Sequence, residues 1–248
     1  MHKNDEINNF YKERMQSLRD IQSDNELKQK SIEWMIDADK YKYSYNFSWM
    51  GRPIIKYPAD MIVQQELIWS LRPDLIIETG IAHGGSIIFS ASMMKMMGIN
   101  GEVIGVDIDI REHNRILIES HPMSDIIKMY QGSSVDINII KKIQKKANKH
   151  KTILVILDSC HSQEHVLNEL RLYSQFVTKN SYIILPDTFI EFFPKGYFAK
   201  DRPWDKGNNP YTALKIFLNN NDNFKIDKDL SSKACISETI DGYIKKIK

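Results

Sequence analysis

The sequence predicts a doubly wound α/β fold, a mostly parallel seven-stranded sheet with helices on both faces, preceded by a helical arm. Three observations carry this. From Pro58 onward, short apolar runs alternate with helical patterns. Strands of a parallel sheet covered on both sides read as such runs, because neither face meets water. The first run ends in a glycine-rich turn, Gly80-Ile-Ala-His-Gly84-Gly85-Ser86, and later runs end in acids, Asp107, Asp158 and Asp187. Sheets of this kind bind ligands at the carboxyl ends of their strands.

The elements follow in order. Residues 4 to about 37 place apolar side chains at helical intervals: Ile7, Phe10, Tyr11, Met15 and Leu18, then Leu27, Ile32, Trp34 and Met35. Two helices are expected, with a break near Ser23-Asp24, where the aspartate suits a cap. Five large aromatics, Tyr41, Tyr43, Tyr45, Phe47 and Trp49, then fall in a turn-rich stretch ending at Pro53. They either pack on the following domain or wall a substrate pocket. An arm with its aromatic segment is therefore expected over 1–57, and the sheet domain over 58–248.

Within that domain a helix is expected over 59–71, a strand over 75–79 and a helix over 86–97. A strand at 103–107, a helix at 112–121 and a short strand at 127–131 follow. A lysine-rich helix at 136–149 reads as a solvated face. A strand at 153–158, a helix at 162–176 and a strand at 182–187 complete the alternation. The segment 189–210, rich in Pro, Gly, Asn and aromatics, is long for a plain connection and suits a lid or binding loop. A helix at 211–219 and strands near 234–238 and 242–247 close the domain.

Bulk properties narrow the function classes. The 248 residues are 42% hydrophobic and 27% charged, a globular balance, with a formal net charge of +2. So small a charge gives no reason to expect nucleic acid or an anionic membrane as partner. Cys160 and Cys235 carry no paired spacing, the start from Met1 to Glu6 is polar, and the apolar runs are far too short to span a bilayer. A cytoplasmic protein is expected, and the amphipathic arm suggests a homo-oligomer.

The glycine-rich turn lets the backbone approach a ligand over a helix N-terminus. It fits neither G-x-G-x-x-G nor a full phosphate loop, whose lysine is missing; that absence argues against nucleotide hydrolysis. Asp107, after the second strand, can accept the hydroxyls of a ribose or simply cap a helix. Asp158 and Asp187, on neighbouring strand tips, supply two hard oxygen ligands for Mg²⁺, or each caps the next helix. His161, three residues after Asp158, suits a general base. His161-Ser-Gln-Glu164-His165 also matches H-x-x-E-H, the pattern of a zinc hydrolase. A helix-packing role is the plainer reading of His165.

These residues bring a resemblance into view. Asn46–Pro53, Ile77–Ser86, Val103–Arg111, Gly132-Ser-Ser134, Ile156–His161, Glu164–Leu167 and Arg202–Pro210 resemble the family named after cephalosporin hydroxylase. Its members are similar to metal-dependent S-adenosylmethionine methyltransferases, including rhamnosyl and other sugar O-methyltransferases. The resemblance covers nearly everything from about residue 45 onward and is weaker in the arm. It implies the class I methyltransferase variant of the Rossmann-like fold for 58–248. It further implies that Glu78, Gly80, His83, Gly84, Gly85 and Ser86 hold the methionine part of S-adenosylmethionine. Asp107 would hold the ribose, with Ser133 or Ser134 beside the adenine. Asp158 and Asp187 would bind Mg²⁺ or another divalent cation, Thr188 would be a third ligand, and His161 the catalytic base. Where some members carry a further acid, this chain has Pro186. The implied reaction is O-methylation of a sugar hydroxyl, on a nucleotide-linked sugar or a surface or capsular polysaccharide precursor. A zinc hydrolase, a methyltransferase for a non-sugar small molecule, and a non-catalytic nucleotide- or sugar-binding protein are the alternatives.

Overall fold

The computed structural model describes residues 3–248, with side chains from Asp5 onward. Met1 and His2, part of the polar start, lie outside the described residues. The arm is two helices, α1 (Lys3–Ser23) and α2 (Asn25–Asp39). Asp24 separates them and caps α2, its carboxylate accepting the Leu27 N–H at 2.8 Å. The aromatic stretch forms a 3₁₀ turn at Tyr43–Asn46 and a small hairpin, β1 (Phe47–Trp49) and β2 (Arg52–Ile54), reversed at Met50-Gly51.

The sheet domain follows with α3 (Pro58–Leu71), β3 (Leu75–Thr79), α4 (Gly85–Met96), β4 (Glu102–Asp107), α5 (Glu112–Glu119), β5 (Ile127–Gln131), α6 (Ile137–Ala147), β6 (Ile153–Leu157), α7 (Gln163–Tyr173) and β7 (Tyr182–Ile184). After a 3₁₀ turn at Thr188–Phe192 come α8 (Pro210–Asn219), β8 (Phe224–Ile226), α9 (Lys228–Ser231) and β9 (Tyr243–Lys246). The sheet order is β5-β4-β3-β6-β7-β9-β8, parallel from β5 to β7, with β9 antiparallel to both its neighbours. The seven-stranded expectation holds.

One strand of that expectation does not. Residues 234–238 are irregular, and the sixth strand in chain order is β8, which lies in an asparagine-rich stretch without a strong apolar pattern. The reason lies in α3. Buried Asp60 accepts a hydrogen bond from the Ser237 hydroxyl at 2.5 Å and another from the Glu238 N–H at 2.9 Å. The backbone there is held by a side chain, not by a ladder.

Chain order reverses between β3 and β6, since β4 and β5 build outward on one side and β7 on the other. That is the switch point where a crevice opens above the strand ends. Two apolar cores flank the sheet: Leu75, Ile77, Val155, Leu170 and Phe217 on one face, Ile76, Ile88, Leu154, Ile156 and Met94 on the other. Every residue of β3 and β6 is buried. The arm docks through a third cluster in which fully buried Met35 of α2 meets Tyr57 and Phe193. Among the described residues, no helix is long and apolar enough to cross a membrane.

Candidate active site

After Thr79 the chain turns at Gly80 with φ +78°. A Cβ here would collide with the Asp158 carbonyl, so only glycine lets the first turn lie against the tip of β6. The Asp158 N–H donates to the Thr79 carbonyl at 2.8 Å and ties the two tips together. Asp107, ending β4, reaches the same turn: its Oδ2 accepts the Ile81 and Ala82 N–H groups at 2.9 and 3.2 Å. The small hairpin braces the turn from outside. Arg52 of β2 is buried and donates to the His83 carbonyl at 2.6 and 2.9 Å and to Asn114 at 2.7 Å.

Two adjoining cavities share Gly80, Asp107 and Ser159 as walls. The larger, about 340 Å³, is lined by His83, Gly85, Ser86, Asp158, His161 and Asp187, among others. Its far wall comes from the irregular segment, through Phe189, Phe198, Arg202 and Trp204, and from Tyr45 of the aromatic stretch. The smaller, about 140 Å³, is lined by Ser133, Ser134, Cys160 and His165.

Two residues expected against the methionine part stand elsewhere. Glu78 is fully buried inside the sheet and lines neither cavity; it accepts a hydrogen bond from the Ser86 hydroxyl and so acts behind that residue. Its second oxygen has no protein partner, and burial raises its pKa to about 7. Gly84 caps α4 in a left-handed conformation against Ile118, away from the cleft.

Asp158, His161 and Asp187 each bring a ligand atom within 4.8 Å of the others. Asp187 holds a left-handed backbone, φ +58°, where β7 gives way to the next turn. Its pKa lies well above the ordinary carboxylate value, because burial and neighbouring Asp158 both disfavour a second negative charge. His161 turns Nδ1 toward Asp187 at 3.5 Å, and its ring meets the Trp204 edge at 4.8 Å between centroids. Burial lowers its pKa below the ordinary 6.5, with Asp158 pulling the other way. Thr188, expected as a third ligand, is fully buried, and its hydroxyl donates to the Glu238 carbonyl at 3.2 Å.

One charge at the site has no motif. Lys56, between β2 and α3, is only 3% exposed, and its Nζ lies 2.9 Å from Glu238 and 3.3 Å from Asp158. Burial works against its charge, but Glu238 and Asp158 outweigh it and raise its pKa. Its one sequence signal is position: a lone cation amid Ile54-Ile55 and Tyr57-Pro58.

The H-x-x-E-H segment does not form a zinc site. His161 precedes α7, so the two histidines do not share a helix face. His165 instead points into the smaller cavity and bonds Ser134, and it is not part of the metal-competent group found among the described residues.

The residues present fit both implied groups. Two carboxylates and an imidazole converge, and three acids, Asp158, Asp187 and Glu238, stand against Lys56 and, on the cavity wall, Arg202. That excess of negative charge suits a hard divalent cation. The glycine turn, Asp107 and the two adjoining cavities suit an elongated ligand lying across Gly80.

The chain is similar to known proteins in family and in fold. The family model "Rhamnosyl O-methyltransferase/CmcI" matches residues 41–247. A rhamnosyl O-methyltransferase of Mycobacterium tuberculosis is 28% identical over 201 residues, 79% of this chain and 77% of that protein. The Mycobacterium leprae enzyme of the same name is 32% identical over 148 residues, 59% of this chain and 62% of that protein. A solved structure of CmcI with Mg and S-adenosylmethionine shares the fold, with TM-score 0.60 and 20% identity, covering 82% of this chain and 78% of that one.

Proposed function

The chain belongs to the rhamnosyl O-methyltransferase/CmcI family, and on that premise we propose that it methylates a sugar hydroxyl with S-adenosylmethionine and a divalent cation, Mg²⁺ or a close equivalent. The observation that carries this reading is the convergence of Asp158, Asp187 and His161 within 4.8 Å, beside the Gly80 turn. Asp158 and Asp187 hold the cation, and Ser86, His83 and Gly80 hold the donor's amino-acid part. Asp107 holds its ribose. A bound divalent cation makes an acceptor hydroxyl more acidic.

His161 takes the proton. Its Nδ1 faces Asp187 at 3.5 Å, and the ring lines the larger cavity. Its lowered pKa keeps the ring neutral and ready to accept near pH 7. The acceptor oxygen gains the methyl group as the donor's sulfonium carbon–sulfur bond breaks. The residues contribute alignment and exclusion of water more than covalent chemistry. Trp204 and Phe198 offer flat apolar faces to a sugar ring. A nucleotide-linked sugar or a surface or capsular polysaccharide precursor is the proposed acceptor, and a homo-oligomer the proposed assembly.

Calorimetry with S-adenosylmethionine, with and without Mg²⁺, tests the reading together with methyl transfer to rhamnosyl glycosides. His161→Ala should abolish turnover while cofactor affinity stays within about twofold, since a general base contributes roughly 10²–10⁴ in rate. Unchanged turnover would place the base elsewhere.

A further inference from the structure

One wall of the larger cavity carries a cation that no acid of the chain pairs. Arg202 lies in the irregular segment before α8, where its backbone N–H donates to the Phe198 carbonyl at 3.1 Å. Its guanidinium makes no ion pair and no hydrogen bond among the described residues. What steadies it is Trp204: the Arg202 Cζ stands 5.5 Å from the indole centroid, a contact that leaves the N–H groups unused. The same indole meets the His161 ring at 4.8 Å between centroids. His161 and Arg202 are thus no farther apart than those two contacts laid end to end, a span that one substituted sugar residue can bridge. The nearby acids are otherwise engaged. Asp158 and Asp187 converge with His161 on a common centre, and a cation there removes their attraction for Arg202. Asp39, on the cavity wall, accepts the Tyr197 hydroxyl at 2.9 Å. Tyr45 shares the wall; burial raises its pKa and the Arg202 charge pulls it back. Five N–H donors are therefore left for whatever enters the cavity.

We propose that Arg202 grips an oxyanion, carboxylate or phosphate, carried by the acceptor within one sugar residue of the hydroxyl that is methylated. This rests on the methyltransferase reading above and narrows its acceptor to acidic sugars. A planar guanidinium matches two oxygens of a carboxylate or phosphate at once, and Trp204 beside it packs against the ring that carries them. A nucleotide-linked sugar presents the phosphate, and an acidic polysaccharide precursor presents the carboxylate. In either case Arg202 determines specificity, favouring the charged acceptor over its neutral counterpart.

The test is calorimetry on the full chain loaded with S-adenosylhomocysteine and Mg²⁺. The probes are methyl glucuronide, glucosyl phosphate and, as the neutral counterpart, methyl glucoside. The wild type should bind at least one anionic probe about tenfold or more tighter than the glucoside, the gain expected of a charge-assisted pair. Preference for the glucuronide alone assigns a carboxylate, preference for the phosphate alone assigns a phosphate, and preference for both supports the shared chemistry. Arg202→Met should lose about tenfold for the preferred anion and keep glucoside binding within about twofold. Arg202→Lys keeps the charge without the fork and should restore only part of the loss. S-adenosylhomocysteine and Mg²⁺ affinities should stay within about twofold in both variants, which a general loss of structure would not allow. An anion held by Mg²⁺ alone would keep its preference in Arg202→Met. That outcome, a glucoside bound as tightly as both anions, or no binding of either anionic probe overturns the inference and leaves the methyltransferase reading standing. Failure of the wild type to bind S-adenosylhomocysteine overturns both.

Discussion

Replacing Lys56 with methionine tests whether the buried cation holds the acid cluster together. The ammonium sits 2.9 Å from Glu238 and 3.3 Å from Asp158 with 3% of its surface exposed. At an effective dielectric of about 20, those separations give roughly 5–6 kcal/mol of attraction for each pair before desolvation. Burying the three charges costs several kcal/mol per ion, so the net worth of the group is far smaller than that sum. Removing the cation alone is a different matter, because it leaves buried Glu238 and part-buried Asp158 without their counter-charge. Breaking a buried pair in this way typically costs about 3–5 kcal/mol. For a chain of this size, that lowers the melting temperature by roughly 6–20 °C.

The variant should regain part of the loss in mild acid. Glu238 already has a raised pKa from burial. A carboxylate with a folded pKa above its unfolded value stabilises the fold when protonated, and that benefit vanishes as pH rises through the folded pKa. Thermal melts of wild type and Lys56→Met at pH 8 and pH 5.5 would show this, with Lys56→Met/Glu238→Gln as the partner-removed control. A Lys56→Met melting temperature within about 2 °C of wild type at both values would refute the charge argument, since the loss estimated above is several times larger.

Three further outcomes follow. Gly80→Ala forces a Cβ against the Asp158 carbonyl at a left-handed φ, so S-adenosylmethionine binding should fall more than about tenfold by calorimetry, with a stability loss of about 1–3 kcal/mol from backbone strain. The acid limb of the turnover–pH profile should have its midpoint below 6.5, because burial depresses the His161 pKa and the base is lost only as pH falls through that folded value; a limb above 7 would point to another base. Mg²⁺ should raise the melting temperature more at pH 8 than at pH 5. The raised pKa of Asp187 means the metal-free fold loses stability as pH rises through it, and a cation removes that repulsion; an equal shift at both values would argue against Asp187 as a ligand.

The sequence by itself determined the layered sheet and the row of groups at its edge. Strands β3, β4, β6 and β7 are short, largely apolar runs, legible because strands buried on both faces need apolar residues, whereas β5, at the sheet edge, is mixed and mostly part-exposed. Asp107, Asp158 and Asp187 were legible because a charge ending such a run must lie at the strand tip, where the crevice of a doubly wound sheet opens. Only the tertiary structure decided what those groups meet. Lys56 and Glu238 are 182 positions apart, and no periodic pattern relates them. The clamp of Asp60 on Ser237 and Glu238 cancels a strand that local composition favours. Thr188 turns to a carbonyl rather than to the acids, and His165 leaves the helix packing expected of it for a cavity. Contacts of this range depend on where the chain returns in space. Local periodicity specifies which face of an element is apolar, but not which distant side chain will stand opposite it.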